Sequence, residues 1–324
     1  MATVIDVERK SDALRHPAGH PCLNRHYTIN LTAGCPSACR YCYAQSFRHH
    51  PGVGKMLFYA NTPEMVRREL AQKRRKPELV FFSSGCEPFN PDPRILSATH
   101  EIMKLLLDNS ISIIAVTKSK VPPEFLDLFA EQPDKVCIEV GITTMDERIR
   151  QLMEPGAASI EERLKTLRNL VTRGIPNKAK MAPFIPGLTD GDESFTSLCK
   201  ALAAEGVRHA SATYLFLRSA LMKRLDVRTT EWSFGDMVSR VYTEAVRGYG
   251  ESGVVRMPSN EYRAERFQFM RRTGLEHGID LRFCRCRNSS VTNDLCHDLP
   301  EPLKREAPQG ELFASTNEGT HDEQ

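Results

Sequence analysis

Three cysteines lie in the run Gly34-Cys35-Pro36-Ser37-Ala38-Cys39-Arg40-Tyr41-Cys42-Tyr43-Ala44. Three residues separate the first two and two separate the last pair, so Cys35, Cys39 and Cys42 can converge on one small object from a single loop. Thiolates at this pitch suit three irons of a cubane iron–sulfur cluster. Fully ligated four-iron clusters use four cysteines, so a triplet leaves one iron open. An open iron can take the amino and carboxylate groups of S-adenosylmethionine and pass an electron to its sulfonium. The triplet can also be read as a zinc site, a disulfide pair or buried structural thiols. Zinc favours paired Cys-x-x-Cys spacings or partner histidines, which fits this triplet poorly. A disulfide needs an oxidising compartment, and nothing in the sequence points to one.

A second group of candidate ligands lies near the carboxyl end. Phe283-Cys284-Arg285-Cys286-Arg287-Asn288 continues to Asp294-Leu295-Cys296-His297. Cys-x-Cys is a tight chelate for either of two metals. One reading is an auxiliary iron–sulfur cluster with His297, Cys22 or substrate as the fourth ligand. The other is a zinc site on Cys284, Cys286, Cys296 and His297.

The 324 residues allow one large domain with appendages, or two domains. With 40% hydrophobic and 26% charged residues the composition is that of an ordinary soluble globular protein. A net charge of +3 is too small to argue for nucleic acid by itself. The start, Met1-Ala2-Thr3-Val4-Ile5-Asp6, has no signal-peptide core, and no apolar run approaches the ~20 residues needed to span a bilayer. A cytoplasmic location with no membrane partner is expected, and its reducing conditions suit an oxygen-sensitive cluster.

The elements that must carry the cysteines alternate between β and α. Strands are predicted at Tyr27–Leu31, Leu79–Ser83, Ser112–Thr117, Val136–Ile142, Ala179–Pro183 and Ala210–Leu215, each a short apolar run bounded by turn residues. Helices are predicted at Thr62–Gln72, Ile95–Leu107, Pro123–Phe129, Ser159–Arg173 and Ser194–Glu205. Thr62-Pro63 reads as a cap followed by an N1 proline, and Ser159-Ile160-Glu161-Glu162 matches a capping box. Alternation of this kind makes a parallel sheet wound right-handedly, with chemistry at the carboxyl ends of its strands. The cysteine loop falls at the first of these ends. Beyond about residue 225 the alternation stops, with helices expected at Trp232–Arg247 and Glu261–Arg272. The boundaries read as a lead-in over 1–26, a core over 27–225, a helical and Cys-rich extension over 226–299, and a disordered tail over 300–324.

The cysteine run resembles the cluster motif of the radical S-adenosylmethionine (radical SAM) superfamily, and its Tyr-Cys-Tyr ending is similar to the branch that contains spore photoproduct lyase. The likeness extends over roughly residues 27–215, through Met153-Glu154-Pro155-Gly156, Glu162-Arg163-Leu164, Gly174-Ile175-Pro176 and Pro183 to Asp190. It implies an α/β fold, a partial (β/α)6 TIM-like barrel with the Cys-rich stretch as an extension. It also implies a [4Fe-4S] cluster on Cys35, Cys39 and Cys42, with S-adenosylmethionine as cofactor and flavodoxin or ferredoxin as electron donor. Where the second strand ends, Ser83-Ser84-Gly85-Cys86-Glu87-Pro88 resembles the family's contact with the methionine moiety, with Glu87 as an acceptor for its ammonium. Cys86 resembles the hydrogen-donating cysteine of the lyase, although a free cysteine also packs as a small inert hydrophobe. Tyr41 and Tyr43 flank the last cluster cysteine as in the lyase, where such residues are linked with cofactor contact and radical transfer. By the same resemblance Lys118 reaches the cofactor carboxylate. Glu139, a carboxylate inside an apolar strand, should be paired or functional, with the cofactor ribose as one partner. Arg163 is expected to form an ion pair on a helix surface.

These residues point to a radical enzyme of lyase or related type. It would cleave S-adenosylmethionine reductively and abstract hydrogen from an unidentified substrate, in biosynthesis or in peptide or small-molecule modification. Repair of DNA lesions is the alternative, for which Lys73-Arg74-Arg75-Lys76 and Arg271-Arg272 offer phosphate contacts. The second cysteine group departs from the lyase, which works with one cluster. A zinc-stabilised nucleic-acid-binding protein is the non-enzyme reading, and it leaves the first cysteine loop unexplained.

Overall fold

The computed structural model of the chain describes residues 2–16, 26–222, 225, 232–247 and 254–294. Its strands and helices, in chain order, are β1 Thr3–Val7, β2 Tyr27–Ile29, β3 Thr32–Ala33, β4 Lys55–Tyr59, α1 Thr62–Gln72, β5 Leu79–Phe82, α2 Pro93–Asp108, β6 Ser112–Thr117, α3 Pro123–Glu131, β7 Val136–Gly141, α4 Glu147–Met153, α5 Ile160–Thr172 and β8 Asn177–Phe184. There follow α6 Asp192–Ala204, β9 His209–Tyr214, α7 Ser219–Met222, α8 Phe234–Val241, β10 Glu244–Arg247, β11 Val254–Met257, α9 Asn260–Glu276, β12 Asp280–Phe283 and α10 Arg285–Asn288.

The main sheet has seven strands in the order β12-β9-β8-β7-β6-β5-β2, every neighbouring pair parallel. Strands added in sequence order, each after a crossover, curve one way into a barrel wall. Among the described residues β2 and β12 do not pair, so the wall is open between them. The partial barrel expected from the sequence is therefore present, with one strand more than the six predicted. Asp280–Phe283 joins β9 in parallel register and makes the seventh strand out of a segment read as extension.

Alternation along each strand separates two faces. Val80, Phe82, Ile113, Ala115, Ile138, Val140, Ala179, Met181, Ala210 and Ala212 pack under the helices. Leu79, Phe81, Ile114 and Cys137 form a small apolar plug on the inner face. Nearer the carboxyl ends the inner face turns polar, with Glu139 on β7 and Lys180 on β8.

Outside the barrel, β1, β4 and β3 form a three-stranded sheet and β10 pairs antiparallel with β11. The helix expected over Trp232–Arg247 stops at Val241 and the chain continues as β10. Val241-Tyr242-Thr243 explains the stop, since β-branched and aromatic side chains lose rotamer freedom in a helix. Asn61, and not Thr62, occupies the N-cap of α1; the Thr62 hydroxyl instead donates to the Tyr59 carbonyl at 2.6 Å. The capping box on α5 forms, with Ser159 Oγ accepting the Glu162 amide and the Glu162 carboxylate accepting that of Ser159. No described helix is long and apolar enough to cross a membrane.

Candidate active site

The cysteine loop leaves β3 through Gly34, at φ +88, where a Cβ would stand 2.5 Å from the Lys55 carbonyl oxygen of β4. Only glycine fits so close to that backbone. Two turns follow: the Ala38 amide donates to the Cys35 carbonyl at 3.4 Å, and the Cys42 amide to the Cys39 carbonyl at 3.1 Å. They present Cys35, Cys39 and Cys42 outside any disulfide, the middle one buried. Burial pushes the Cys35 thiol up to about 12, with Glu87 and Cys42 adding to it, and holds Cys39 well above its ordinary value. Buried thiols of this kind need a cationic partner to ionise, and cluster irons supply one. Among the described residues no three His, Cys, Asp or Glu side chains close on a single metal ion. A cubane takes one thiolate per iron and needs no such convergence, so the donor set fits a cluster better than zinc.

The segment after α4 clamps the loop. The Arg40 amide donates to the Met153 carbonyl at 2.9 Å and the Arg40 Nε to the Leu152 carbonyl at 2.8 Å. The Gly156 amide donates to the Ser37 carbonyl at 3.1 Å, and a Cβ on Gly156 would fall 2.0 Å from the Pro36 oxygen. The Tyr41 hydroxyl donates to Glu154. Glu154 in turn pairs with Arg163 at 2.5 Å, their side chains 3% and 1% exposed. Arg163 also donates to the Gly141 carbonyl at 2.8 Å and to the Ala158 carbonyl at 2.9 Å. The surface ion pair expected for Arg163 is thus a buried one, because α5 packs against β7 and β8 and turns Arg163 toward Gly141 and Glu154. Burial, then the charge of Glu154, holds the Tyr41 phenol well above its ordinary value. The Tyr41 hydroxyl, expected at the cofactor, is committed to positioning the loop.

At the end of β5 the turn Ser83–Pro88 is held from β2. Asn30 Oδ1 accepts the Gly85 amide at 2.7 Å and lies 3.6 Å from Cys86 Sγ, which is 3.5 Å from Ser83 Oγ. The Tyr43 hydroxyl donates to the Ser84 carbonyl, so Tyr43 is anchored to the turn that carries Cys86. Glu87 is buried and accepts the Thr117 hydroxyl at 2.5 Å, the Lys118 amide at 2.9 Å and the Phe89 amide at 3.2 Å. Burial raises its carboxyl pKa against these three bonds. Glu87 therefore ties the β5 turn to the end of β6.

Lys118 extends from that end across Gly141, where a Cβ would come 2.8 Å from Lys118 Cγ, and its ammonium lies 5.7 Å from the Tyr41 ring centroid. Glu139 on β7 is 1% exposed and pairs with Lys180 at 2.9 Å. The expectation that this strand carboxylate is paired thus has its partner on the neighbouring strand. Cys284 is half-buried just after β12 and Cys286 falls in α10. Cys22, Cys296 and His297 lie outside the described residues, as does the tail from 300.

A strand-end loop of three cysteines beside a glycine-bearing turn is the arrangement the resemblance implied. The family model described as the radical SAM superfamily matches residues 29–199. The chain belongs to the radical SAM superfamily. A radical SAM Nα-GlyT isomerase of Pseudomonas phage M6 is 24% identical over 346 residues, covering 96% of this chain and 70% of that protein. Spore photoproduct lyase complexed with dinucleoside spore photoproduct superposes with a TM-score of 0.64 at 17% identity, covering 87% of this chain and 81% of that one. A mutant of the lyase with bound AdoMet and the same dinucleoside reaches 0.67 at 16% identity over the same shares. The chain is an enzyme of this superfamily, whose members use a [4Fe-4S] cluster and S-adenosylmethionine.

Sequence reading did not pick out Asn30, Glu154, Arg163 or Gly156 as site-building residues. Asn30 stands directly after a strand and before the motif, a position that signals a turn anchor. Glu154 precedes Pro155-Gly156, but its partner lies nine residues away on another helix, and spacing alone does not reveal that pair.

Proposed function

We propose that the protein abstracts hydrogen from a nucleobase-containing substrate and that Cys86 returns a hydrogen atom to the resulting carbon radical. Cys35, Cys39 and Cys42 would hold the cluster, with Lys118, Glu87 and Glu139 on the cofactor side of the mouth. When bound, the cluster and S-adenosylmethionine supply a 5′-deoxyadenosyl radical, with the incoming electron from a flavodoxin or ferredoxin. The observation that carries the reading is the hydrogen bond from the Tyr43 hydroxyl to the turn that carries Cys86. Homolysis of the Cys86 S–H bond would deliver its hydrogen to the substrate carbon, the Tyr43 O–H would give its hydrogen to the Cys86 thiyl, and the tyrosyl radical left behind would take one electron from the flavodoxin or ferredoxin and a proton from water. The nucleobase is favoured by the likeness to a lyase structure complexed with dinucleoside spore photoproduct, which spans 87% of this chain.

The test is turnover of thymidine oligonucleotides in deuterated water. Cys86 exchanges its thiol hydrogen, so the wild-type product should carry solvent deuterium. Cys86→Ala should still cleave S-adenosylmethionine but yield product without that label. A product equally labelled in both proteins contradicts the assignment. Cys284, Cys286, Cys296 and His297 are proposed to hold a second metal, an auxiliary iron–sulfur cluster in preference to zinc, and iron counting of a Cys284→Ala/Cys286→Ala variant tests it.

A further inference from the structure

Residues 8–15 follow β1 and run beside the edge strand β2, where Arg15 bridges Thr28. With the loop after the cysteines they enclose a cavity of about 500 Å³. Arg9, Lys10, Arg15, His49 and His50 line it, and Gly85 reaches it from the turn that bears Cys86. Glu8 is the single carboxylate of the lining.

Arg9 is the built part of this cavity. Its amide donates to Asn61 Oδ1 at 2.9 Å, its Nε lies 3.4 Å from Thr62 Oγ1, and a terminal nitrogen donates to the Asn30 carbonyl. Its guanidinium carbon stands 4.2 Å from the Tyr59 ring centroid. Among the described residues no carboxylate forms an ion pair with Arg9. Glu69, which faces the same segment, is occupied by the Ala13 and Leu14 amides at 2.6 and 3.1 Å. Burial lowers the Arg9 pKa and the charge of Arg15 adds to this, against the opposing charges of Tyr59, Cys86 and Glu69. A partly buried guanidinium beside other cations, with no carboxylate in ion-pair contact, is electrostatically incomplete, and an anion completes it.

Asn30 joins this cavity to the reacting turn, since its carbonyl takes Arg9 while its side chain holds Gly85 and Cys86. We infer that the cavity is a phosphate subsite, in which Arg9, Lys10 and Arg15 seat a phosphate of the substrate beside the Cys86 turn. The ligand is the phosphodiester of a nucleic-acid strand or the phosphate of a free nucleotide. This rests on the reading of Cys86 as part of the reacting site.

The experiment uses the full chain with reconstituted cluster and follows anisotropy of a labelled thymidylate oligonucleotide, with thymidine monophosphate as competitor. Lys10→Glu/Arg15→Glu changes two exposed side chains and is checked for folding by thermal unfolding. Lys165→Glu/Lys200→Glu reverses two exposed helix cations outside the cavity. The cavity variant should bind the oligonucleotide about tenfold more weakly at moderate salt, with a salt slope shallower by about 1 for each phosphate-binding cation removed. The control variant should bind like wild type. An oligonucleotide far tighter than the mononucleotide makes the strand the source, and equal affinities make it the free nucleotide. The inference is overturned if the cavity variant binds both ligands as wild type does, if the control weakens binding as much, or if neither ligand binds wild type. Reductive cleavage of S-adenosylmethionine, measured in the same wild-type preparation, separates this failure from that of the proposed chemistry.

Discussion

Arg163 and Glu154 meet at 2.5 Å beneath the cysteine loop, both shielded from water. One end of this pair takes the Tyr41 hydroxyl and the other the Gly141 carbonyl, so the loop and the end of β7 are held by the same two charges. The cysteine loop is thereby fixed in place by a buried pair of charges.

Breaking the pair leaves a buried charge without its partner. Glu154→Ala or Arg163→Ala should each lose about 3–5 kcal/mol of stability, measured by urea unfolding, and should hold less iron after reconstitution. The double variant should lose less than the sum, because neither charge is then stranded. Additive losses would show that the two do not act as a unit.

Gly156 allows the clamp to approach the loop. Gly156→Ala places a methyl 2.0 Å from the Pro36 oxygen and should lower iron uptake while circular dichroism stays native. Gly191→Ala, where a Cβ meets nothing within 4 Å, is the matched control and should take up iron normally. Equal uptake in the two variants would remove Gly156 from the account.

Asp146 caps α4, the helix that delivers the clamp, by accepting the Arg148 and Ile149 amides at 2.8 and 3.3 Å. Burial works to raise its pKa, but these bonds and the charge of Arg148 prevail and hold it below the ordinary 3.8. The ionised cap is therefore stabilising above that value, and its contribution fades as pH falls through the lower folded pKa. Asp146→Ala should cost about 1 kcal/mol at neutral pH. The difference from wild type should shrink in acid unfolding titrations below pH 3.8. A difference independent of pH would contradict the cap.

The barrel was readable because parallel strands are buried on both faces and appear as apolar runs, as in Leu79-Val80-Phe81-Phe82. The triplet was readable because its ligands are local in sequence. β12 was not, since Asp280-Leu281-Arg282-Phe283 is short and half polar, and only pairing with β9 makes it a strand. The role of Arg163 was hidden for another reason. On α5 it looks like any helix arginine, and its burial depends on a segment that the topology brings over it. Arg271, read as a phosphate contact, pairs internally with Asp294 at 2.8 Å.

Iron content and 5′-deoxyadenosine formation, measured together without oxygen, test the central claim most directly. Wild type, given reductant and S-adenosylmethionine, should form 5′-deoxyadenosine. Cys35→Ala/Cys39→Ala/Cys42→Ala should lose about four irons per chain and all of that product. A triple variant that keeps both its iron and its cleavage, or a fully loaded wild type that forms no 5′-deoxyadenosine, would contradict it.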